Sequence, residues 1–455
     1  MTARVEQLLA QHEGKTLEFK ACLAEPLPFL KTLVAFANSA GGTIIFGVED
    51  KTRRVLGVDD PLELEARLAN LVSDGIRPKL APDIEIHPWR RTHLLVVRVY
   101  PSPVMPHYVR ALGPENGVFI RVGSSNRQAD RVILDEMRRL AAQRSFDEEP
   151  LLDLNSEAID FRAASELFAP VRRLSQQDLE ILGLTVRHRS KLVPTVGGIL
   201  LFGKNRLRLF PDAYLQAARF GGTNRTRIHD TADFDGPLPA LADRAIGFLR
   251  KHEAVAIEIK APRHQERWPV PLVAIREALI NALVHADYAQ RGAPIRLAVF
   301  DDRIEVENPG LLPFGLTIED IRAGVSKLRN RVIARVFKEL GLIEQWGSGI
   351  GRMITVCKEA GLPEPVFEEV GLHFRVTLYK TPAPAEVPDP IEKAIFELLA
   401  DGSGYTTAQV AKVIRRTPRA TRARLASMVA RGLVQEVGRG PQDPKRKYYL
   451  AKTER

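Results

Sequence analysis

The chain has 455 residues, of which 45% are hydrophobic, and it carries a formal net charge of +10. This length predicts roughly two to four domains, and the hydrophobic content is ordinary for a protein that buries real cores. No uninterrupted apolar run approaches the roughly 18 residues of a membrane-spanning helix, so we expect no membrane partner.

The N-terminus and the cysteines predict a protein of the reducing cytoplasm. Residues 1–14 are amphipathic and contain acids, and they lack the apolar region and cleavage site of a signal peptide. The two cysteines, Cys22 and Cys357, are too few and too far apart for a disulfide framework or a four-ligand zinc site.

The positive charge is concentrated at the C-terminal end. Residues 391–455 contain 14 Lys or Arg and 6 Asp or Glu, a net charge of +8, which leaves +2 for the first 390 residues. This asymmetry favours a nucleic-acid-binding appendage, although a solubilising tail has the same composition. Four prolines in residues 381–390 predict a stiff, extended linker in front of it.

Residues 1–140 have the pattern of an α/β domain. FLKTLVAFANSAGG has helical spacing and ends on two glycines. Four further segments have the composition of strands, namely TIIFGVED, RVLGV, LLVVRVY and GVFIRVGSSN.

Residues 13–20, EGKTLEFK, contain the Gly-Lys-Thr that ends a phosphate-binding loop. Such a loop needs a glycine five positions before Gly14, where this chain has Leu9, and it needs a strand before it and a helix after it. Here the preceding pattern is helical and the following one is a strand. No other Gly-Lys-Ser/Thr occurs, so a helicase of the phosphate-loop type is excluded.

Three ordered segments, EGKTLEFKA, AFANSAGGTIIFGVEDKTRRVLGV and IRVGSSNRQAD, resemble the Schlafen-type, Alba-like domain of bacterial proteins over about residues 10–135. The resemblance implies nucleic-acid binding, to DNA or RNA. In some Schlafen members two glutamates and an aspartate form a metal-dependent nuclease site, which implies Glu13, Glu18 and Asp50 here. Carboxylates suit Mg²⁺ or Mn²⁺. The alternative is that Glu18 pairs with strand neighbours and Glu13 is a solvated acid.

Residues 141–195 are acidic and polar and then form short helical patches, which predicts a helical connector. Residues 196–380 mix both element types. GILLFG, IRLAVF, RIEVEN and FRVTLY have the composition of strands, and PLVAIREALINALVHADY and NRVIARVFKEL have helical spacing. With the first block, these patterns give the fold class as α/β (α+β) and multidomain.

The helix around REALINALVHADY carries a stripe of polar side chains. Glu277 and Asn281 are four residues apart and therefore on one face, and His285 continues the stripe. By itself this describes any helix with one polar side. Two later segments add to it, because DDRIEVENPGLLP predicts a strand that ends at Asn308-Pro309-Gly310, and QWGSGIGRM places glycines before a helix, where backbone N–H groups are free to hold phosphates.

In this order the segments resemble the GHKL ATPase fold of gyrases, chaperones and sensor kinases. Residues 194–380 more closely resemble the C-terminal ATPase-like domain of bacterial transcriptional regulators, often labelled RecG-like helicases. The resemblance implies ATP and Mg²⁺ as ligands, with Glu277 as the base that polarises water and Asn281 as a holder of Mg²⁺. The implied nucleotide-binding residues are Asn281, Asn308, Gly310, Gly347, Gly349 and Gly351.

The sequence departs from the GHKL pattern at one position. Where those enzymes use an aspartate to bind the adenine amino group, this chain has Asn308, a neutral and weaker acceptor. A degenerate pocket that serves as a scaffold or dimer interface is therefore an alternative to nucleotide binding.

The basic end has the element order of a winged helix-turn-helix. Helices are predicted over 391–400, over AQVAKVI after a capping Thr406 or Thr407, and from Pro418, followed by a strand, a basic loop and a strand. The third helix is expected in the major groove and the wing on phosphates or the minor groove. The predicted DNA-binding residues are Arg415, Arg416, Arg419, Arg422, Arg424, Arg439, Lys445, Arg446 and Lys447. The alternative is a winged helix that contacts protein.

The sequence thus predicts five segments: a Schlafen/Alba-like domain (1–140), a helical connector (141–195), a GHKL-like ATP-binding domain (196–380), a linker (381–390) and a winged helix (391–455). The leading hypothesis is a cytoplasmic, bacterial, DNA-binding transcriptional regulator that binds ATP and acts as a homo-oligomer on paired half-sites. The alternatives are a metal-dependent nuclease of Schlafen type acting on RNA or foreign DNA, and an interaction scaffold with an inactive nucleotide pocket.

Overall fold

The structure is a computed structural model that describes residues 2–50, 52–253, 256–260, 263–343, 347–381, 390–399, 403–430, 433–437 and 446–450. The chain forms two compact units, the main unit Met1–Pro382 and the C-terminal unit Ala383–Arg455. Their boundary falls inside the proline-rich segment. None of the helices in the described ranges combines the length and the apolar character that a membrane span requires.

The first part of the main unit is built on a mixed four-stranded sheet. Its helices are α1 (Thr2–Ala10), α2 (Pro26–Ala37), α3 (Pro61–Gly75), α4 (Gly113–Asn116) and α5 (Arg131–Ala141). Its strands are β1 (Leu17–Lys20), β2 (Gly42–Phe46), β3 (Ile76–Arg77), β4 (Asp83–Trp89), β5 (Thr92–Val99), β6 (Tyr108–Val109), β7 (Phe119–Val122) and β8 (Ser125–Gln128). The sheet order is β1-β2-β5-β4, and only β1 and β2 are parallel.

Helix α2 packs its apolar side chains onto this sheet, as the spacing of FLKTLVAFA predicts. Phe29, Leu33 and Phe36 are fully buried in a core shared with β2 and β5. The strand predicted for RVLGV is wrong, because Val55 makes only an isolated bridge with Val48. Val58, the last residue of the segment, makes another isolated bridge, with His93. Gly57 separates the two bridges with a φ of +88°, which interrupts the extended backbone that a strand needs.

The second part of the main unit is built on a six-stranded sheet. The helices are α6 (Phe161–Phe168), α7 (Gln176–Ile181), α8 (Val196–Phe202), α9 (Arg206–Leu209), α10 (Leu238–His252), α11 (Leu272–His285), α12 (Ile318–Arg322), α13 (Arg331–Glu339) and α14 (Ser348–Glu359). The strands are β9 (Thr185–His188), β10 (Lys191–Pro194), β11 (Leu215–Phe220), β12 (Ile228–Phe234), β13 (Ala256–Lys260), β14 (Arg263–Arg267), β15 (Ile295–Val299), β16 (Arg303–Pro309), β17 (Val366–Val370) and β18 (His373–Tyr379).

The order of the six strands is β12-β11-β15-β16-β18-β17, with only β11 and β15 parallel. Helix α11 lies on β16 and contacts α10 and α14. Large apolar side chains of the sheet and these helices form one core, to which the region 159–184 also contributes. Residues of the predicted connector are therefore packed into the same core as residues 196–380.

The strand predicted for GILLFG is wrong, because these residues form helix α8. The Thr195 hydroxyl caps it by accepting the Gly198 N–H at 3.0 Å. Every residue from Val196 to Phe202 is buried, so the sequence has no polar positions from which a helical period can be recognised.

The C-terminal unit contains the predicted helices and strands in the predicted order, and one short strand between the first two helices that was not predicted. They are α15 (Pro390–Leu399), β19 (Tyr405–Thr406), α16 (Thr407–Val413), α17 (Pro418–Ala430), β20 (Val434–Val437) and β21 (Lys447–Leu450). The three strands form an antiparallel sheet in the order β19-β21-β20. Thr406 caps α16 in a capping box with Gln409.

Candidate functional site

Helix α11 brings its polar stripe to the edge of a cavity of about 190 Å³. Glu277, Asn281 and His285 all line this cavity, because residues four apart share one face of a helix. The Asn281 amide donates a hydrogen bond to Glu277 Oε1 at 3.2 Å. The opposite face of α11 is buried in the main core, which fixes the orientation of the stripe.

The end of strand β16 and its neighbour β18 supply the cavity floor. Val306 and Val376 give it an apolar surface, and Asn308 adds a buried amide. The Asn308 Nδ2 group donates to the carbonyl of Pro309 at 3.0 Å, which orients the side chain. Asn308 is 5% exposed, so the surroundings favour a neutral group at this position.

The N-terminus of α14 lines the cavity beside α11. Gly347 is the N-cap residue and has a left-handed φ of 64°, so the helix begins at Ser348 and includes the next two glycines. The expectation that the glycines precede the helix is therefore corrected, since Gly349 and Gly351 lie in it. The first N–H groups of a helix have no intrahelical partner, and its dipole favours an anion there.

The backbone of Gly349 and the side chain of Glu277 pack directly against each other. A Cβ placed on Gly349 would overlap the Glu277 carboxylate, whose Cδ would lie only 2.6 Å away. Glycine at this position thus lets the carboxylate lie against the helix start.

Two of the predicted nucleotide-binding glycines are not among the residues that line the cavity. Gly310 has a φ of +99°, and a Cβ there would overlap the guanidinium of Arg329 and approach Asp287 Cβ to 2.9 Å. A Cβ on Gly351 would have no heavy atom within 4 Å. In this structure Gly310 makes room for Arg329, and Gly351 faces open space.

Two cations that the sequence analysis missed line the cavity. Lys327 comes from the loop before α13, and its ammonium group donates to the carbonyl of Phe314 at 2.8 Å. Arg352 lies one turn into α14 and donates to Ser348 Oγ at 3.3 Å. The sequence did contain a signal for Arg352, because this residue directly follows the glycine motif. Lys327 has no comparable signature in the sequence.

The imidazole of His285 is neutral at physiological pH. Burial and, to a smaller extent, the nearby positive charge of Arg329 lower its pKa to about 4. Part of the ring surface faces the cavity, so the side chain is only half-buried by exposed area. His285 therefore adds a neutral hydrogen-bonding group to the cavity.

The carboxyl groups of Glu18 and Asp50 lie close enough to Glu13 to act on its titration. Burial raises the pKa of Glu13, and the carboxyl groups of Asp50 and Glu18 raise it further, while the Phe19 N–H, 2.6 Å from Glu13 Oε1, lowers it. Each Glu18 oxygen is engaged by a cation: Oε1 by Lys20 at 2.9 Å and Oε2 by the buried Arg121 at 2.6 Å.

This pairing is closer to the alternative in which Glu18 pairs with neighbours than to an open metal site. Within the described ranges, no group of three or more His, Cys, Asp or Glu side chains is arranged to hold a metal ion. The nuclease hypothesis stays a prediction from the family resemblance.

The basic residues of the C-terminal unit divide into exposed and paired groups. Arg419 and Arg422 are exposed on α17, and Arg415, with a φ of +52°, and Arg416 are exposed just before it. Arg424 forms an ion pair with Glu392 at 3.6 Å, and Arg446 with Glu436 at 2.9 Å. Lys447 is exposed on β21. Arg439 and Lys445 lie outside the described residues.

Two family models match the chain. Residues 13–130 match the model described as Schlafen, AlbA_2, and residues 292–378 match the model described as putative ATP-dependent DNA helicase recG C-terminal. The chain contains a Schlafen AlbA_2 domain and a RecG C-terminal-type ATPase-like domain. Both family resemblances predicted from the sequence are confirmed. The second match includes Asn308 and the start of α14, whereas Glu277 and Asn281 precede it.

Two solved structures are also similar to the chain. The DIP2311 protein from Corynebacterium diphtheriae is 21% identical over 99% of this chain and 96% of its own, with a TM-score of 0.44. The N-terminal domain of a putative ATP-dependent DNA helicase RecG-related protein from Nitrosomonas europaea is 25% identical over 28% of this chain and 92% of its own, with a TM-score of 0.23. At these scores neither structure supports a functional conclusion. None of the curated proteins matches the chain.

Proposed function

We propose that the chain is an ATP-binding, DNA-associated protein that controls transcription, with its nucleotide site in the ATPase-like domain. One observation carries the proposal. A single cavity brings together the Glu277 and Asn281 side chains, the buried amide of Asn308 and the N-terminus of α14.

The residues around this cavity fit a nucleotide with Mg²⁺. The apolar side chains of Val306 and Val376 suit the faces of a planar base, and the Asn308 amide lies beside them. The N-terminus of α14, with the positive end of its helix dipole, suits phosphates. The amide oxygen of Asn281 is a hard donor of the kind that Mg²⁺ prefers. Gly349 leaves room for the Glu277 carboxylate beside the helix start.

Each residue has a chemical role in the proposed site. Glu277 is the general base that orients a water molecule and accepts its proton, and the Asn281 amide holds the Glu277 carboxylate in place. Lys327 and Arg352 place positive charge along the cavity, where phosphate charge would lie. Mg²⁺ bound beside Asn281 would supply the Lewis acid that stabilises charge on the phosphates. The neutral Asn308 accepts a hydrogen bond more weakly than an aspartate, which lowers affinity for adenine.

The C-terminal unit is the proposed DNA-binding part, a winged helix that reads DNA with α17. Arg419 and Arg422 are exposed on this helix and are therefore available for DNA, whereas Leu425 and Met428 are buried in the core of the unit. Binding to DNA phosphates is expected to fall steeply with salt through counterion release.

Calorimetry with ATP and Mg²⁺ tests the nucleotide site. We expect wild-type protein to bind, and Asn281→Ala to lose at least about tenfold in affinity, because it removes the amide that holds Glu277 and reaches for Mg²⁺. Asn224→Ala, which changes an asparagine in the exposed loop before β12, is the matched control. If the wild type shows no binding, the proposed nucleotide function is wrong.

Fluorescence anisotropy with a labelled DNA duplex tests the second half of the proposal. Affinity should fall by at least about tenfold when salt rises from about 50 to 200 mM, and ATP should change the affinity if the nucleotide controls DNA binding. Salt-independent binding would argue for a winged helix that contacts protein. A reporter gene tests transcriptional control. DNA that the protein captures is placed upstream of the reporter, and reporter expression is compared between wild type and Arg419→Ala.

A further inference from the structure

One segment of chain serves two sites in the main unit. Residues 311–316, which follow strand β16, are called the wall segment below. Leu311, Leu312, Pro313 and Leu316 line the large cavity from one side. The same four residues line a small cleft of about 30 Å³, together with Lys15 of the Schlafen AlbA_2 domain and Glu136 of the following helix α5.

Lys15 holds the wall segment through Glu369. The Lys15 ammonium lies 2.7 Å from both carboxylate oxygens of Glu369, and Glu369 Oε1 also accepts the Leu312 N–H at 2.9 Å. The Lys15 and Glu369 side chains are 19% and 10% exposed, so this pair is shielded more than a surface salt bridge. Lys15, a residue of EGKTLEFK, thus fixes the Glu369 carboxylate, which binds the backbone of the wall segment.

Glu136 holds the same segment through Arg329. Its Oε1 accepts from Arg329 Nε at 3.1 Å, and both side chains are largely buried, at 15% and 9% exposed. The two Nη groups of Arg329 donate to the carbonyls of Leu311 at 2.7 Å and His285 at 3.2 Å. Both of these residues line the large cavity.

Lys15 belongs to the short segment that carries Glu13 and Glu18, two of the three acids named for the predicted nuclease site. The carbonyl of its neighbour Gly14 accepts from Arg121 Nε at 3.1 Å, and Arg121 also pairs with Glu18. A movement of Lys15 therefore involves the same backbone that places Glu13 and Glu18, because only a few residues separate them.

We propose that Lys15 of the Schlafen AlbA_2 domain and Glu136 of helix α5 are positioning residues for the cavity of the ATPase-like domain, on which they act by fixing the wall segment. The nucleotide-binding consequence rests on the proposed function, whereas the positioning of the wall segment does not. The EGKTLEFK stretch is then the part of the first domain that senses the state of the cavity.

Hydrogen–deuterium exchange of the nucleotide-free, full-length protein tests the positioning directly. The variants are Lys15→Ala, Lys15→Arg, Glu136→Gln and, as a matched control, Arg138→Ala. Arg138 lies on the same helix as Glu136 but forms its ion pairs with Glu115 and Asp135 inside the first domain. Peptides that cover residues 311–316 should exchange at least about threefold faster in Lys15→Ala and Glu136→Gln. Lys15→Arg should restore protection, and Arg138→Ala should match wild type.

ATP affinity measured with Mg²⁺ provides the second readout. Coupling between two sites usually changes affinity at least about fivefold. We therefore expect ATP to bind about fivefold more weakly to Lys15→Ala and Glu136→Gln, and with wild-type affinity to Arg138→Ala. Wild-type exchange in both positioning variants would overturn the proposal, and so would faster exchange with unchanged ATP affinity. If wild-type protein binds no ATP, the proposed function fails, and the exchange experiment alone decides whether Lys15 and Glu136 position the wall segment.

Discussion

Replacing Gly349 by alanine tests whether Glu277 is the working carboxylate of the cavity. A Cβ at this position would overlap the Glu277 carboxylate oxygen and would lie 2.6 Å from its Cδ. Ordinary contacts of a Cβ begin near 3.4 Å. The Glu277 carboxylate must therefore move by at least about 0.8 Å or turn to another rotamer, because the backbone of α14 is held by its own hydrogen bonds.

The displacement should reduce catalysis far more than stability. A misplacement of about 1 Å costs about 100-fold in rate, and general-base catalysis contributes about 10² to 10⁴-fold. We expect kcat for ATP hydrolysis to fall about 100-fold and ATP affinity to change by less than about tenfold. Alanine is favoured over glycine within a helix by about 1 kcal/mol, and the overlapping atoms belong to a flexible side chain, so the free energy of unfolding should not decrease.

The assay is steady-state phosphate release together with urea unfolding of each variant. Gly351→Ala is the matched control, since it adds the same methyl group to the same helix without any heavy atom within 4 Å. It should keep wild-type kcat and gain the same helical stability. Wild-type turnover in Gly349→Ala would show that Glu277 is not the base. An equal loss in both variants would show that the effect comes from the helix.

Three further predictions follow from particular side chains. Asp147 is fully buried and accepts the N–H groups of three consecutive residues at the start of α13, at 3.0, 2.7 and 2.9 Å. Asp147→Ala should therefore lower the free energy of unfolding by about 3 kcal/mol in urea denaturation, and a loss below about 1 kcal/mol would contradict this. Burial lowers the pKa of His285 to about 4 in the folded chain, whereas the unfolded value is 6.5. The unfolded state therefore binds a proton between pH 6.5 and 4 that the folded state does not, and stability should fall over this window as the pH is lowered, by roughly 3 kcal/mol in all. Denaturation at pH 7, 6 and 5 should show that His285→Gln loses less stability than wild type as the pH is lowered. If stability falls equally with pH in wild type and His285→Gln, His285 does not cause the fall. Arg419→Ala and Arg422→Ala should each reduce the slope of log affinity for DNA against log salt by about 1, because each removes one phosphate contact. Unchanged slopes would show that these two arginines do not contact DNA phosphates.

Local signals in the sequence were sufficient for the polar stripe of α11 and for the elements of the C-terminal unit. Glu277 and Asn281 lie on one face because the helical period is a property of the backbone alone. Thr406 is recognisable as the cap of α16 because its capping box needs only the residues of one turn. The family resemblances over residues 13–130 and 292–378 also follow from local order of motifs.

Prediction from the sequence failed where the local pattern lacked a period or where a residue's role depends on a contact with a distant segment. GILLFG is buried on all sides in α8, so its residues carry no polar positions to distinguish a helix from a strand. Gly310 has the same appearance in the sequence as a phosphate-binding glycine, yet its φ of +99° makes room for Arg329, nineteen positions later in the chain.

The sequence by itself therefore determined which families the two domains resemble and which side chains share a helix face. Only the tertiary structure decided that Gly349 lies against Glu277, that Lys327 and Arg352 line the cavity, and that Lys15 reaches Glu369. The physical reason is that the first set depends on backbone periods within one element. The second set depends on packing between segments that are tens to hundreds of residues apart, for which the sequence contains no repeating signal.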